Sequence, residues 1–594
     1  MESELITIGV LFFFAIVGGI IAKRFKQPTV IGLLLIGALI GPNTLGIVNN
    51  QKWIELIIEI GAILLLFVVG LEFDLPKLMK LGFKAFAIAT LKVGIGLFIG
   101  FQVALMLGLG TAVGIFIGAI LCFSSTVVIV KILEQKSMYN RKETPILLTV
   151  LILEDVFAVL TLIFFSSIKT SAGLNILNMI EHIIIGLTTL IIAYLVMLKV
   201  ANYIFKWLMK NSNEDITTFL ALGFCAGFSA LAYALGLTPS AGAFLAGSII
   251  ASMPHVSKFE TAISPYALIF SSLFFIAMGT LVNFGSILPN LLLISVLIGA
   301  ILVSRFTAIG IVTYVFAGFN GNEAIFSSLA MLSVGEFALL VAKESVGFGL
   351  GIDIVTVTSV LIFVSAVMMS ITLAYSNNMH KTWQSTKQPK YISNTMTQLA
   401  WYVRSFFDQI DTENRSTKNF KTAVVSCMFA LLVAVFLLVG WNKMISILSG
   451  FGVTGIIIYL IHAVFVCATF VSLYVLHKRL NHTQDTLVRV LTGIDRMMNH
   501  KKSRKILKNL LISTIFFLTA MFSPIIIYIF GLPGWSTIAS FGLLAVCLVY
   551  FRGAVRLLNT YNSESYSRGR LYNSVTLEEL YRTTPKGFKN KIIL

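Results

Sequence analysis

The chain has 594 residues, 57% of them hydrophobic and only 12% charged, with a mean hydropathy of +0.92. Soluble domains carry about 25% charged residues, so this balance excludes that class and points to an all-α polytopic membrane protein. The net charge of +18 is spread over short loops between apolar stretches rather than gathered on a polar domain, and no nucleic-acid partner is expected.

A helix needs roughly 20 apolar residues to cross a hydrocarbon core of about 30 Å. Such stretches recur near 4–22, 29–47, 54–72, 83–108, 111–134, 143–168, 175–206, 215–236, 239–252, 262–283, 287–318, 321–346 and 353–376. They predict a transmembrane domain over 1–376, with the stretch at 239–252 unusually short. The first stretch follows Met-Glu-Ser-Glu without a basic leader or a small-residue cleavage site, and reads as a retained helix. Polar residues at 377–419 suggest a cytoplasmic linker. A second membrane module is expected over 420–552, with spans near 420–440, 450–476, 508–531 and 534–551, followed by a basic tail at 553–594.

Lys23, Arg24 and Lys26, then Lys77, Lys80 and Lys84, then Lys131, Lys136, Arg141 and Lys142, then Lys206 and Lys210 fall in alternate loops. The loops between hold little beyond Lys52 and Lys169. By the positive-inside rule the N-terminus lies outside and the basic loops and C-terminus lie in the cytoplasm of a cell-membrane protein. All five cysteines sit in apolar segments without ligand spacing and read as packing residues.

Two stretches carry hydroxyls and small residues at mid-depth: Cys122–Lys131 (CFSSTVVIVK) and Met331–Lys343 (MLSVGEFALLVAK). A helix in a bilayer can give up backbone hydrogen bonds only where protein or a wet cavity satisfies them, so these are predicted to be broken helices on an ion pathway. They align with Ser124 against Ser333 and Thr126 against Gly335, and they start from opposite sides of the membrane, as an inverted repeat requires.

A charge at a helix centre costs about 2.5–3.5 kcal/mol on insertion scales. Glu154, Asp155, Arg305, Glu336 and Lys92 are the candidates for that position. Glu154 and Asp155 are neighbours near mid-span, pointing about 100° apart. Desolvation favours the protonated carboxyl and a bound cation favours the ionised one, so Asp155 can be a group for which protons and cations compete, or it can belong to a structural salt bridge. Glu154 either pairs with Arg305, which keeps its proton, or takes part in transport directly. Glu336 stands just past a break, facing the half-helix ends or capping freed backbone groups. Lys92, on the span paired by inversion with the one carrying Arg305, either is a charge held inside the bundle or simply snorkels. Glu72, Asp74, Glu181 and His182 lie near span ends, where interfacial solvation accounts for them, and His462 reads as a core histidine.

Seven segments in order carry a family resemblance: Pro28–Gly46, Leu64–Leu75, Phe123–Gln135, Leu153–Val159, Ala241–Ala251, Leu273–Val282 and Ser333–Val341. Together they resemble the monovalent cation:proton antiporters, in the branch of potassium-efflux systems and bacterial sodium/proton exchangers. The resemblance, which covers about residues 1–376, implies an inverted-repeat antiporter fold with a dimerisation domain, a moving core domain and two crossing broken helices; the extra C-terminal transmembrane helices of this chain depart from it. It implies Na+ or K+ exchanged for H+, a homodimer in membrane lipid, and Asp155 as the acid that holds the transported cation. By the same resemblance Ser124, Ser125 and Thr126 form one polar break, Ser333, Gly335 and Glu336 the other, and Arg305 takes the basic position of the core helix.

Relatives commonly carry Asp, Asn or Gln where this chain has Glu154, and often Lys where it has Arg305; the combination leans towards electroneutral exchange. No Gly-rich nucleotide fingerprint follows Ser376, and no cofactor is expected. A cation channel or uniporter of the same fold and a proton-coupled solute symporter are the alternatives. An enzyme is not expected, since the seven histidines form no catalytic pattern with Asp, metal spacing or nucleophile.

Overall fold

The computed structural model describes residues 2–25, 27–72, 82–170, 214–234, 238–253, 256–346, 348–376, 500–529 and 536–567, with a few isolated positions between 422 and 479. The expected spans at 175–206, 420–440 and 450–476, nearly all of the linker, the tail beyond Ser567, and Asp74, Glu181, His182 and His462 lie outside the described residues.

Helices account for all the described regular structure apart from one isolated β-bridge. In chain order they are α1 (Glu2–Arg24), α2 (Thr29–Ile40), α3 (Gln51–Glu72), α4 (Gly82–Met106), α5 (Thr111–Cys122), α6 (Thr126–Gln135) and α7 (Thr144–Thr170). Then come α8 (Glu214–Ala234), α9 (Pro239–Ala251), α10 (Val256–Thr280), α11 (Leu291–Phe316), α12 (Gly321–Ala330), α13 (Glu336–Glu344) and α14 (Ile354–Ala374), and finally α15 (His500–Ile529) and α16 (Thr537–Ser567). Among the described residues nine helices are long and apolar enough to cross a membrane, and α2, α5, α9 and part of α15 are shorter apolar segments. The protein is a multi-pass membrane protein.

The packing repeats. Helix α3 lies on α9 as α10 lies on α2, and α1 lies on α2 as α8 lies on α9. Matching α1–α7 with α8–α14 therefore maps one set of contacts onto the other, with α4 corresponding to α11, the pair α5–α6 to α12–α13, and α7 to α14. This is the inverted-repeat arrangement. One group, α1–α3 with α8–α10, is held largely by apolar contacts such as Phe67, Phe228 and Phe259. The other, α4–α7 with α11–α14, holds the buried charges.

Helix α11 widens into a π-turn at Phe306–Ile311, directly after Arg305. Such turns are frequent at functional sites.

The hairpin of α15 and α16 is antiparallel: Ser513 donates to the Cys547 carbonyl at 3.1 Å and Ser523 bonds Ser540 at 2.7 Å. It docks on α4, where Gly94 leaves room; a Cβ there would come within 3.2 Å of Met521 and 3.3 Å of the Phe522 ring. The rings of Phe98 and Phe541 meet at 5.8 Å alongside.

Candidate ion-binding site

Two helices break where the sequence places hydroxyls and glycine in apolar surroundings. The first segment leaves α5 at Cys122 and re-enters helix at Thr126; the second leaves α12 at Ala330 and re-enters at Glu336. The extended segments between cross antiparallel at Ser124 and Val334. The Ser125 amide donates to the Ser333 carbonyl and the Gly335 amide to the Phe123 carbonyl, each at 3.2 Å. Gly335 makes this approach possible, because a Cβ there would lie 2.5 Å from the Ser124 carbonyl oxygen. Helix α6 starts at Ser125, whose hydroxyl accepts from the Val128 amide at 3.3 Å as an N-cap. The two N-caps are thus Ser125 and Gly335, one residue from the equivalence that the sequence alignment gives.

Four half-helix ends meet here, two with partial positive and two with partial negative charge. The charged side chains match them. Arg305 donates to the carbonyls of Cys122 and Phe123, both at 3.4 Å, and the Lys92 ammonium donates to the Cys122 carbonyl at 3.1 Å. Two cations therefore stand at the carboxyl end of α5. Glu336, the first residue of α13, stands at an amino end and accepts from the Ser125 hydroxyl at 2.9 Å.

Glu154 completes the arrangement from α7. One carboxylate oxygen, Oε2, accepts the Ser124 amide at 3.1 Å and forms an ion pair with Lys92. Lys92 also donates to the Ser124 hydroxyl at 2.7 Å, and that hydroxyl donates to the Met331 carbonyl at 3.3 Å. Two expectations are corrected. The partner of Glu154 is Lys92 rather than Arg305, which lies within electrostatic reach but spends its planar donors on backbone carbonyls. Lys92 does not snorkel: it is 0% exposed and points into the crossing, where its flexible stem reaches carboxylate, hydroxyl and carbonyl together.

The neighbouring carboxylates differ in setting. Glu154 is 1% exposed, whereas Asp155 is partly exposed. Helix α7 also touches α9, so it faces both helix groups. The Thr126 hydroxyl is buried and has no hydrogen-bond partner, as is also true of Oε1 of Glu154 and Nε of Arg305. Ser333 contributes its backbone carbonyl to the crossing, while its hydroxyl makes only a long 3.4 Å contact with the adjacent carbonyl.

One participant went unnoticed in the sequence. Ser365 of α14 accepts the Val334 amide at 3.0 Å. A hydroxyl near the middle of an apolar span, at the place in its repeat that Glu154 holds in the other, is the signal that could have found it.

The profile of the family "Sodium/hydrogen exchanger, transmembrane" matches residues 10–375, more than half of the chain. The chain belongs to that family. The chain is 31% identical over 344 residues to the probable Na(+)/H(+) antiporter GerT of Bacillus cereus, covering 56% of this chain and 90% of that one. It is 27% identical to K(+) efflux antiporter 5 of Arabidopsis thaliana, covering 57% and 60% respectively. Among solved structures it resembles the sodium proton antiporter MjNhaP1 from Methanocaldococcus jannaschii, with a TM-score of 0.51 and 17% identity over 65% of this chain and all of the other. That likeness concerns the fold. Helices α15 and α16 lie beyond the residues that the family matches.

Proposed function

We propose that this chain is a secondary active antiporter that exchanges Na+ or K+ for H+ by alternating access, with cation and proton competing for Asp155. The observation that carries the reading is the crossing of two broken helices beside adjacent carboxylates, one sealed and one partly open. A carboxylate next to the polar ends of broken helices can exchange its water shell for backbone and hydroxyl oxygens around a monovalent cation, and it loses that cation when protonated. Ser124, Ser125 and Thr126 on one break and Ser333, Gly335 and Glu336 on the other supply the polar surroundings. Relatives with the printed names of Na(+)/H(+) and K(+) efflux antiporters support the substrate class.

Exchange is read as electroneutral. An arginine paired with Glu154 would keep its charge through the cycle, and the partner of Glu154 in the structure is Lys92. Burial supports the electroneutral reading: Lys92 and Glu154, at 0% and 1% exposure, form an ion pair away from water, and the partly exposed Asp155 is read as the exchanging group. We further read the protein as a homodimer in the lipid of the cell membrane, with the N-terminus outside and the C-terminus in the cytoplasm, serving pH homeostasis.

In vesicles loaded with a pH dye, addition of NaCl or KCl should drive protons in the opposite direction, without generating a membrane potential. Cation flux independent of pH would replace this reading with a channel or uniporter. Proton movement that needs an organic solute and no cation would replace it with a symporter.

A further inference from the structure

The opposing strand does not receive the amides of the two bridge residues, Ser124 and Val334. In each case a side chain from the full-length helix that follows the break receives the amide instead. The Ser124 amide goes to Glu154 on α7 at 3.1 Å, and the Val334 amide goes to Ser365 on α14 at 3.0 Å. Since α7 and α14 hold the same place in the two repeats, Ser365 is the counterpart of Glu154.

The chemistry of the two positions differs for a local reason. At the first break Lys92 and Arg305 bring two positive charges, and the Glu154 carboxylate pairs with Lys92. At the second, the groups that Ser365 meets are the Val334 amide and the Ile362 carbonyl, neither of them charged. A hydroxyl meets the need. Ser365 is 2% exposed, and its own hydrogen donates to the Ile362 carbonyl at 3.2 Å, which leaves an oxygen lone pair aimed at Val334.

We propose that Ser365 is a positioning residue for cation binding. By fixing Val334 it sets the two groups on either side of it: the Ser333 carbonyl that receives Ser125, and Gly335, from which Glu336 starts α13 towards the Ser125 hydroxyl. It acts on the ion site through this frame and touches no ion. The inference rests on the antiporter reading above.

The test compares S365A, S365V and S365T in the full-length protein, reconstituted in phosphatidylcholine–phosphatidylglycerol vesicles, with proton movement read on addition of NaCl and of KCl. Threonine keeps the hydroxyl, and valine has its shape without it. Loss of one buried hydrogen bond in the frame predicts an apparent KM for the cation raised about three- to tenfold in S365A and S365V, with a smaller change in maximal rate, and a KM close to wild type in S365T. A residue of merely structural value would lower the yield of folded protein and leave KM unchanged. An unaltered KM in S365A, or S365T as impaired as S365V, overturns the proposal.

If the wild type itself moves no protons with either cation, the antiporter reading falls instead. Amide hydrogen exchange over Met331–Gly335 then still tests the role of Ser365. Faster exchange in S365A than in wild type supports the positioning, and equal exchange overturns it.

Discussion

Glu154 is gripped from two sides, by an ammonium and by a backbone amide, and Lys92 in turn has three acceptors around it. Removing one side of a buried pair leaves the other charge without its partner, at a typical cost of about 3–5 kcal/mol. Lys92→Met and Glu154→Gln are each expected to lower unfolding stability in detergent by that order, and the double variant by clearly less than the sum. Additive losses would contradict the pair. The same cycle between Glu154 and Arg305 is expected to give weaker coupling, since Arg305 bonds carbonyls rather than the carboxylate. The sequence made the identity of these charges legible, because isolated charges in long apolar runs stand out, but not the depth of Lys92, whose long stem could have carried it to the interface. It did not reveal which cation meets which carboxylate. That depends on helix rotation and on side-chain reach, neither of which apolar stretches encode.

At the scale of elements, the two breaks work as one unit because Gly335 lets backbone meet backbone. In Gly335→Ala the added Cβ would push against the Ser124 carbonyl and part the strands, weakening both 3.2 Å bonds of the crossing. The expected outcome is a folded, membrane-inserted protein about 1–3 kcal/mol less stable and without measurable exchange, judged by size-exclusion profile, melting and vesicle transport. Wild-type transport in that variant would show that the crossing tolerates separation. Both breaks were readable from clustered serine and glycine in apolar sequence, although the caps lie one residue from the aligned positions. Helix α9 was also legible, as a stretch short enough to match its 13 residues. The π-turn after Arg305 left no trace in composition, since Phe306–Ile311 is as apolar as any helical turn.

At the scale of the whole molecule, α15 and α16 sit on the helix that carries Lys92. The aromatic contact between Phe98 and Phe541 is part of that seat, and aromatic pairs add about 0.5–1.5 kcal/mol beyond their buried area. A double-mutant cycle of Phe98→Ala and Phe541→Ala should show coupling of that size in thermal unfolding; zero coupling would mean that the hairpin docks without this contact. Hydropathy foretold these two helices, but nothing in their sequence announces their partner, because docking on α4 depends on the fit of Met521 and Phe522 around a single glycine.

The central claim is that Asp155 is the group that exchanges cation for proton. The most direct test is Asp155→Asn in the intact protein, reconstituted beside wild type at matched protein density and with melting behaviour recorded for both. Proton movement driven by Na+ or K+ should vanish in the variant while its folding is retained. Exchange at a rate close to wild type in a folded Asp155→Asn protein would contradict the account.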